Sequence, residues 1–485
     1  MLESVSNLFD DLFAVDPDRP FIGQGDVGFT YGDYRTHALR LGSALSSRGL
    51  APGDRLVAQI AKSLDGFALW LGCLAIGVVY VPTNTAYTVD EISYFCANAG
   101  ASMLVVDDPA AVAAIDIDTV ALTDLVADPA SAAPAEVARL TDDTPAALVY
   151  TSGTTGHPKG ATLTHGCIRN NAQALAEVWQ MEPDDVLLHA LPIFHIHGLF
   201  IALNPTMLVG AQVRFLPRFD IDAVLDALDG ATVFMGVPTY YHRLLGDDRF
   251  TPAACESMRL FTSGSAPMTE ITHAEFTERT GRRIVERYGM SEAGIITSNR
   301  IDDVLAGSVG HALPGYELRI VDDAGAPVDA GVTGTVEVRG PSLCLGYWER
   351  PDADEQSRTT DGWFNTGDVG SVDATARLTL EGRSSDMIIS GGLNIYPKEI
   401  EMVIDEIDGV VESAIVGRPD PDFGEVVTAY LVLDPGIEVD QIDLDAALTV
   451  LARFKHPKST HVLHELPRNA MGKVQKNLLR QTEDT

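Results

Sequence analysis

The stretch from Tyr150 to Gly160 constrains this chain more than any other part of its sequence. It places three glycines, four small hydroxyl residues and one lysine directly after the apolar run Ala146–Val149, which predicts a buried strand. Glycine lets the backbone approach an anion closely, and the hydroxyl groups and the lysine add donors and positive charge. It differs from the common P-loop, because Pro158 precedes the lysine and a glycine follows it. The string therefore predicts a phosphate-binding loop after a strand, with its donors at Thr151, Ser152, Gly153, Thr154, Thr155, Gly156 and Lys159.

Length and charge narrow the class of protein. A chain of 485 residues is too long for one hydrophobic core, so two or more domains are expected. The 34 Lys and Arg against 69 Asp and Glu give a net charge of −35, which repels nucleic acid and anionic membranes. We therefore expect neither as a partner, and any polyanionic substrate needs a locally basic site.

The cysteines and the N-terminus predict a cytoplasmic protein. The five cysteines are scattered and lack Cys-x-x-Cys spacing, which fits a reducing compartment and gives no zinc site. The first residues are acidic where a signal peptide would be basic. The apolar stretch 66–81 is short for a membrane span and is broken by Gly72 and Gly77, so it predicts a buried helix running into a buried strand.

Strand-like and helical stretches alternate through most of the chain, which predicts an α/β fold with mainly parallel, helix-covered sheets. The predicted strands are 55–60, 78–81, 103–106, 148–150, 213–216, 232–237 and 260–263. From about Gly310, shorter strands at 316–321, 334–339 and 378–380 predict a small antiparallel or barrel-like piece. The Ala- and Asp-rich stretch 107–134 predicts an irregular surface region.

The pattern of predicted strands and helices changes again near Arg383. The remaining residues predict a small α+β unit with strands at 387–389, 414–416 and 427–433 and helices at 397–406 and 443–451. We therefore predict an N-terminal domain over residues 1–382, a hinge at 383–386 and a small mobile C-terminal domain over 387–485.

Three further strings carry chemistry. Residues 286–292 supply an aromatic face, a hydroxyl and a carboxylate. Residues 365–368 place a carboxylate on a tight turn that suits a ribose diol. Residues 467–473 place a lysine on a turn that contains glycine. Each string alone is weak evidence. In this order, and together with Phe29–Asp33 near the start, they resemble the adenylate-forming superfamily of acyl-CoA synthetases, adenylation domains and firefly luciferase. The resemblance covers essentially the whole chain.

The resemblance implies a two-step reaction with ATP, Mg²⁺ and coenzyme A. A carboxylate attacks the α-phosphate of ATP, pyrophosphate leaves, and a thiol then captures the acyl-adenylate after the small domain rotates. The resemblance implies a role for each matching residue in binding ATP: residues 151–160 bind the β- and γ-phosphates, Ser291 binds the α-phosphate, and Glu292 binds Mg²⁺. Gly264, Ser265 and Ala266 lie along the adenine, Tyr288 with Gly289 stacks on its face, and Asp368 and Arg383 bind the ribose. Lys473 bridges the carboxylate and the α-phosphate, and Asp386 is the hinge. Ser385 departs from the pattern, because many relatives have Lys there.

The physical logic agrees with those roles. A carboxylate attacking a polyphosphate brings two anions together, so Lys473 and Mg²⁺ would neutralise charge without a general base. Because Lys473 lies in a turn near the C-terminus, the resemblance also makes it a target for a lysine acyltransferase that would remove its charge.

The segments that line the acyl pocket in relatives contain two arginines in this chain, where fatty-acid and aryl-acid members of the family have apolar residues. Arg243 lies one helical turn after Thr239, and Arg287 directly precedes Tyr288. A guanidinium is costly to bury unless an anion pairs with it. These strings resemble malonyl-CoA synthetases, which implies a dicarboxylic acid, malonate or methylmalonate, clamped at its distal end. The alternatives are a surface arginine or structural salt bridge for Arg243, and a pairing of Arg287 with Glu286.

Two histidines are also predicted to line the acyl pocket. His195 is expected near the reacting carboxylate and the thiol tunnel, and His197 near the distal carboxylate or in the core, with Ser265 also lining the acid. Their i, i+2 spacing without a third ligand is poor for zinc. His165 is expected to be structural.

Two other functions remain open. A short- or medium-chain monocarboxylate synthetase would favour an apolar residue in place of Arg243. A stand-alone adenylation module would load a partner carrier protein, although no carrier-protein serine motif follows residue 476.

Overall fold

A computed structural model describes residues 7–128, 133–151, 158–266, 268–383, 386–390, 393–395, 397–420, 423–451, 453–469 and 473–481. The β-strands in these residues, numbered along the chain, are β1 (Pro20–Gln24), β2 (Val27–Thr30), β3 (Arg55–Gln59), β4 (Val79–Pro82), β5 (Met103–Val106), β6 (Thr119–Ala121), β7 (Pro145–Thr151), β8 (Lys159–Thr164), β9 (Val186–His189), β10 (Gln212–Phe215), β11 (Val233–Gly236), β12 (Leu260–Ser263), β13 (Ile284–Met290), β14 (Gly294–Ser298), β15 (His311–Ala312), β16 (Glu317–Val321), β17 (Gly334–Arg339), β18 (Phe364–Val372), β19 (Leu378–Arg383), β20 (Ile388–Ser390), β21 (Leu393–Ile395), β22 (Val410–Asp420), β23 (Gly424–Leu433) and β24 (Ser459–Val462).

The α-helices are numbered in the same way. They are α1 (Leu8–Leu12), α2 (Tyr31–Ser47), α3 (Leu64–Ile76), α4 (Val89–Ala99), α5 (Leu122–Val126), α6 (His165–Val178), α7 (Leu203–Leu208), α8 (Ile221–Asp226), α9 (Pro238–Leu245), α10 (Glu270–Thr280), α11 (Pro351–Ser357), α12 (Pro397–Asp405), α13 (Leu444–Ala447) and α14 (Lys476–Gln481). A π-helix spans His197–Ala202 directly before α7.

Two sheets form the larger part of the molecule, and both are mainly parallel as predicted. The nine-stranded sheet has the order β15-β14-β13-β12-β11-β9-β10-β1-β2, with parallel pairing from β13 through to β1. The six-stranded sheet has the order β6-β5-β3-β4-β7-β8, and only β7 and β8 pair antiparallel. The predicted parallel strands are all present, because their near-continuous apolar runs are buried on both faces.

Helix α3 shows why one apolar stretch forms a helix and then a strand. The Ser63 hydroxyl caps its start by accepting a hydrogen bond from the Gly66 N–H, and Gly77 ends it with a φ of +78°. Every residue from Gly66 to Ile76 is buried, and β4 follows within the six-stranded sheet. The predicted buried helix running into a buried strand is therefore confirmed.

The rest of the chain forms two smaller sheets. Strands β16 to β19 make a four-stranded antiparallel sheet at the place of the predicted barrel-like piece. After Arg383, strands β20 to β24 make a separate five-stranded sheet packed on α12, with its own hydrophobic core. The boundary and hinge at residues 383–386 stay a prediction, and Ser385 lies outside the described residues.

One prediction about the fold is wrong. Residues 107–134 are not an irregular surface region throughout, since they contain β6 and α5. Strand β6 extends the six-stranded sheet by pairing with β5, and the side chains of Val120, Leu122 and Leu125 are buried. Among the described helices, none combines the length and the apolar character needed to cross a bilayer.

Candidate active site

The predicted site residues gather at the carboxyl ends of parallel strands. His195 follows β9, Arg243 follows β11, the adenine segment 264–266 follows β12, and Arg287 and Tyr288 lie in β13. Ligands of open α/β sheets bind in the crevice beyond the carboxyl ends of their strands. The topology of the nine-stranded sheet therefore brings together segments that are up to about a hundred residues apart in the sequence.

Glu292 links the two large sheets. Its Oε1 accepts hydrogen bonds from the Thr151 hydroxyl at 3.2 Å and the Tyr347 hydroxyl at 2.9 Å, and the residue is buried. Thr151 ends β7, so this carboxylate lies where the predicted phosphate-binding loop begins. Carboxylates of this kind hold Mg²⁺ together with substrate phosphates. Since both protein hydrogen bonds fall on Oε1, the Oε2 atom suits that ion, although among the described residues no cluster of three or more metal-binding side chains occurs.

The predicted phosphate-binding loop is described only at its ends. Ser152, Gly153, Thr154, Thr155 and Gly156 lie outside the described residues. Lys159 begins β8, and its Nζ lies 5.5 Å from the centroid of the Tyr347 ring. Strand β8 returns antiparallel to β7, so a strand and not a helix follows the string, in keeping with the predicted difference from the common P-loop.

Tyr288, Asp368 and Arg383 form a connected group. The Tyr288 hydroxyl donates to Asp368 Oδ2 at 2.5 Å, and Arg383 Nε donates to Asp368 Oδ1 at 3.1 Å. Asp368 and Tyr288 are buried, whereas the Arg383 side chain is 38% exposed. Asp368 and Arg383 pair across β18 and β19, so the fold brings the two residues predicted to bind ribose together with the predicted adenine platform.

Lys473 lies close to this group. Loss of hydration, followed by the nearby Arg383, lowers the pKa of Lys473, an otherwise exposed residue, while Asp368 and Asp386 oppose that shift. The lysine makes no ion pair within the described part of the chain, because the Asp368 carboxylate is held by Tyr288 and Arg383. The fold therefore brings a cation without a carboxylate partner to the predicted ribose site.

The adenine segment has a constrained backbone. A side chain at Gly264 would meet the Arg287 guanidinium at 2.5 Å, so a larger residue there would displace that arginine. Ser265 has a φ of +72°, a conformation that residues with a Cβ rarely adopt. Such backbone strain is typical of ligand sites. Ala266 follows in the same segment, and Ser291 lies in the turn after β13.

Arg287 is buried, and two of its guanidinium nitrogens have no hydrogen-bond partner among the described residues. Its residue is 5% exposed, and neither Nε nor Nη2 has a partner among the described residues. Burial lowers the pKa of Arg287 to about 10, so the group is still charged at neutral pH. Glu286, the alternative partner, faces the other side of β13 and accepts a hydrogen bond from the Gly307 N–H at 3.1 Å. The predicted pairing of Arg287 with Glu286 is therefore not formed.

Two histidines lie beside Arg287. Burial, followed by the Arg287 charge, lowers the pKa of His195 to about 4 and also lowers the pKa of His197. His195 Nδ1 accepts a hydrogen bond from the His197 N–H at 3.1 Å. His197 is 1% exposed, and neither of its ring nitrogens has a partner in the described structure. Both imidazoles are thus neutral at neutral pH, and the only charge of this group is the guanidinium.

Arg243 does not belong to this buried group. It lies on the exposed side of α9, with its guanidinium 5.1 Å from the centroid of the Phe219 ring. The premise of a buried guanidinium therefore does not hold for Arg243, whose side chain is exposed, whereas it holds for Arg287; the acid-binding roles of both arginines stay predictions. His165 is fully buried and accepts a hydrogen bond from the Leu8 N–H through Nδ1, consistent with a structural role.

No sequence pattern pointed to Lys62, which extends this basic group. Its Nζ donates to the His189 carbonyl at 2.9 Å and lies 4.3 Å from the centroid of the Phe215 ring. Burial lowers the pKa of Lys62, and the Lys62 charge contributes to lowering the pKa of His189. His189 in turn contributes to the lowered pKa of His197. A lone lysine in a turn carries no sequence signal, and its position becomes evident only when the two sheets meet.

Comparisons with known proteins identify the family of this chain. The AMP-binding enzyme family matches residues 9–348, and the AMP-binding enzyme C-terminal domain matches residues 399–473. Feruloyl-CoA synthase of Amycolatopsis sp. is 35% identical over 96% of both chains. Malonate–CoA ligase of Arabidopsis thaliana is 36% identical over 70% of this chain and 61% of its own length.

Among solved structures, the ATP-bound MatB of Rhodopseudomonas palustris is 42% identical over 98% of both chains. Its TM-score against this chain is 0.94, whereas that of the apo form of the same protein is 0.83. The arrangement of this chain is therefore more similar to the ATP-bound form than to the apo form.

Proposed function

This chain belongs to the AMP-binding enzyme family as an ATP-dependent acyl-CoA ligase, and on that premise we propose that the acid it activates is malonate, with methylmalonate as a close second. The products are malonyl-CoA, AMP and pyrophosphate. The observation that carries the choice of acid is the buried Arg287 with its unpartnered Nε and Nη2.

A comparison with the other buried arginines strengthens this choice. Among the described residues, Arg169 and Arg377 are also buried, and each forms ion pairs with aspartate. In a chain with 69 acidic residues, a buried guanidinium without a carboxylate is an exception. Burial of a charge is costly unless it is paired, so Arg287 is suited to an anion supplied by the substrate.

The charge around the pocket favours a dianion. The groups that shift the pKa values of Arg287, His195 and His197 include no carboxylate. A monocarboxylate such as butyrate would leave Arg287 unpaired after its own carboxylate had reacted. Malonate would place its distal carboxylate on Arg287 while its other carboxylate faces the nucleotide. The Malonate–CoA ligase of Arabidopsis thaliana among the relatives supports this assignment.

In the first half-reaction, the chain's own residues bind and orient the two anions. Asp368 and Arg383 hold the ribose hydroxyls, Tyr288 packs on the adenine, and Thr151 with Lys159 contacts the terminal phosphates. Lys473 neutralises charge between the attacking carboxylate and the α-phosphate, so that pyrophosphate can leave. Glu292 would hold Mg²⁺, which would further neutralise the charge of the phosphates.

In the second half-reaction, the thiol of coenzyme A attacks the acyl-adenylate carbonyl, the carbon–oxygen bond to AMP breaks, and the thiol loses its proton. His195, neutral at physiological pH, lies beside Arg287 and is the candidate to orient the thiol. Lys473 is not needed for this step, which is consistent with its delivery by a domain that moves about the hinge at Asp386.

A competition experiment tests the proposal. The protein is incubated with ATP, Mg²⁺, coenzyme A and an equimolar mixture of malonate, methylmalonate, succinate, sulfoacetate, butyrate and benzoate, and the thioesters are quantified by mass spectrometry. Malonyl-CoA should dominate, followed by methylmalonyl-CoA. A predominance of butyryl- or benzoyl-CoA would contradict the proposal, and pyrophosphate release without any CoA thioester would favour a module that loads a carrier protein.

A further inference from the structure

The carboxylates around Lys473 are each held by another group. Asp368 accepts hydrogen bonds from Tyr288 and Arg383. Asp386, the second carboxylate close enough to influence Lys473, pairs with Arg480, whose Nη2 lies 3.0 Å from Asp386 Oδ1. The structure thus accounts for a lysine that is near two aspartates and yet has no ion pair within the described residues.

Arg480 is well placed to hold Asp386. It belongs to α14, which is fixed to its domain by an ion pair of 2.6 Å between Lys476 and Glu401. The Tyr430 hydroxyl also donates to the Leu479 carbonyl at 2.9 Å, and the Leu479 side chain is buried. From this fixed helix, Arg480 reaches a residue 94 positions earlier in the chain. The contact is partly shielded from water, since the two side chains are 31% and 27% exposed.

Without Arg480, the cations close enough to interact with Asp386 would be Arg383, which already pairs with Asp368, and Lys473. A flexible lysine and a carboxylate released from its partner attract each other, and partial burial strengthens that attraction. A lysine paired with Asp386 would offer less charge to the reacting carboxylate and phosphate.

We propose that Arg480 is a positioning residue for the adenylation step, which occupies the Asp386 carboxylate and so keeps Lys473 free for the substrates. This inference rests on the proposed role of Lys473 in adenylation, but it does not depend on which acid is activated. It adds to the site a residue that touches neither substrate.

A double-mutant cycle tests the inference on the full-length protein. The adenylation rate is measured as acid-dependent pyrophosphate release in a single turnover, with whichever acid the wild-type protein uses best. Arg480→Ala should lower this rate by up to about fivefold, the effect of an added ion pair of about 1 kcal/mol that must break in each turnover. In the Asp386→Asn background the same change should have almost no effect, because the amide cannot trap the lysine. Arg480→Lys keeps a positive charge at this position, so it should retain most of the wild-type adenylation rate.

Two further measurements separate positioning from folding. Thioester formation from preformed acyl-adenylate should be the same in Arg480→Ala and in the wild type. Lys455→Ala, which breaks an ion pair with Glu399 in the same domain, is the matched control and should leave adenylation unchanged. An equal loss on Arg480→Ala in both backgrounds, or an equal loss in both half-reactions, would overturn the inference. If Lys473→Ala left adenylation unaffected, the proposed role of Lys473 would fail instead.

Discussion

Replacing Arg287 by leucine should convert the preference of this protein from a dicarboxylic to a monocarboxylic acid. In the structure Arg287 is 5% exposed and lacks a hydrogen-bonded partner at Nε and Nη2, so a bound distal carboxylate would form a charge-assisted pair out of water. Losing such a pair costs roughly 2–5 kcal/mol, which corresponds to a fall of about 30- to 5,000-fold in kcat/KM for malonate. Butyrate should lose nothing, because it no longer meets an unpaired guanidinium.

The matched control is Arg243→Leu. Arg243 is exposed and packs on Phe219, so its removal should change kcat/KM for either acid by less than about threefold. The assay is ATP-dependent consumption of coenzyme A with malonate and with butyrate in the wild type and both variants, with thermal unfolding as a check on folding. Equal losses for both acids in Arg287→Leu would refute the clamp, and a selective loss of malonate in Arg243→Leu would move it to the surface arginine.

Three other substitutions test separate parts of the site. Lys473→Ala should slow adenylation by about 100-fold or more while sparing thioester formation from preformed adenylate; equal loss of both steps would show that the role is wrong. Glu292→Gln should raise the Mg²⁺ concentration needed for half-maximal rate by at least about tenfold, and an unchanged Mg²⁺ dependence would exclude Glu292 as the ligand. Glu286→Gln should stabilise the protein at pH 8 but not at pH 4, as measured by urea unfolding. Burial raises the pKa of Glu286 to about 7. The free energy of unfolding of the wild type therefore falls by up to ~3 kcal/mol as the pH rises from about 4.5 to 7. A Glu286→Gln variant with the same pH dependence as the wild type would contradict this explanation.

The sequence predicted the strands well, because an apolar run of four to six residues bounded by glycine or proline has few structural alternatives to a buried strand. It failed over residues 107–134, where the composition is rich in Ala and Asp. Strand β6 and helix α5 are too short there to produce a clear period, and they owe their order to packing on β5 and α2.

The site shows a different limit. The motifs around Tyr288, Glu292, Asp368 and Lys473 could be found from their order alone. The sequence also named Arg243 and Arg287 as candidates for the acid, but it could not show which of the two is buried. Arg243 could have been recognised as exposed, because Tyr241, Leu244 and Leu245 mark the buried face of α9 at helical spacing.

Residues that act through distant neighbours gave no signal in the sequence. Lys62 lies in a turn after β3 and contacts the end of β9, and Arg480 lies in a short helix and contacts Asp386. Both contacts depend on how separate elements come together in three dimensions.

The proposed specificity for a dicarboxylic acid depends on Arg287 as the partner of the second carboxylate. A crystal structure with malonate and a non-hydrolysable ATP analogue would test that role most directly. We expect the distal carboxylate of malonate to lie about 2.7–2.9 Å from the nitrogens of the Arg287 guanidinium, with the other carboxylate facing the α-phosphate. A distal carboxylate bound at Arg243 or left in solvent, with Arg287 still unpaired, would contradict the account.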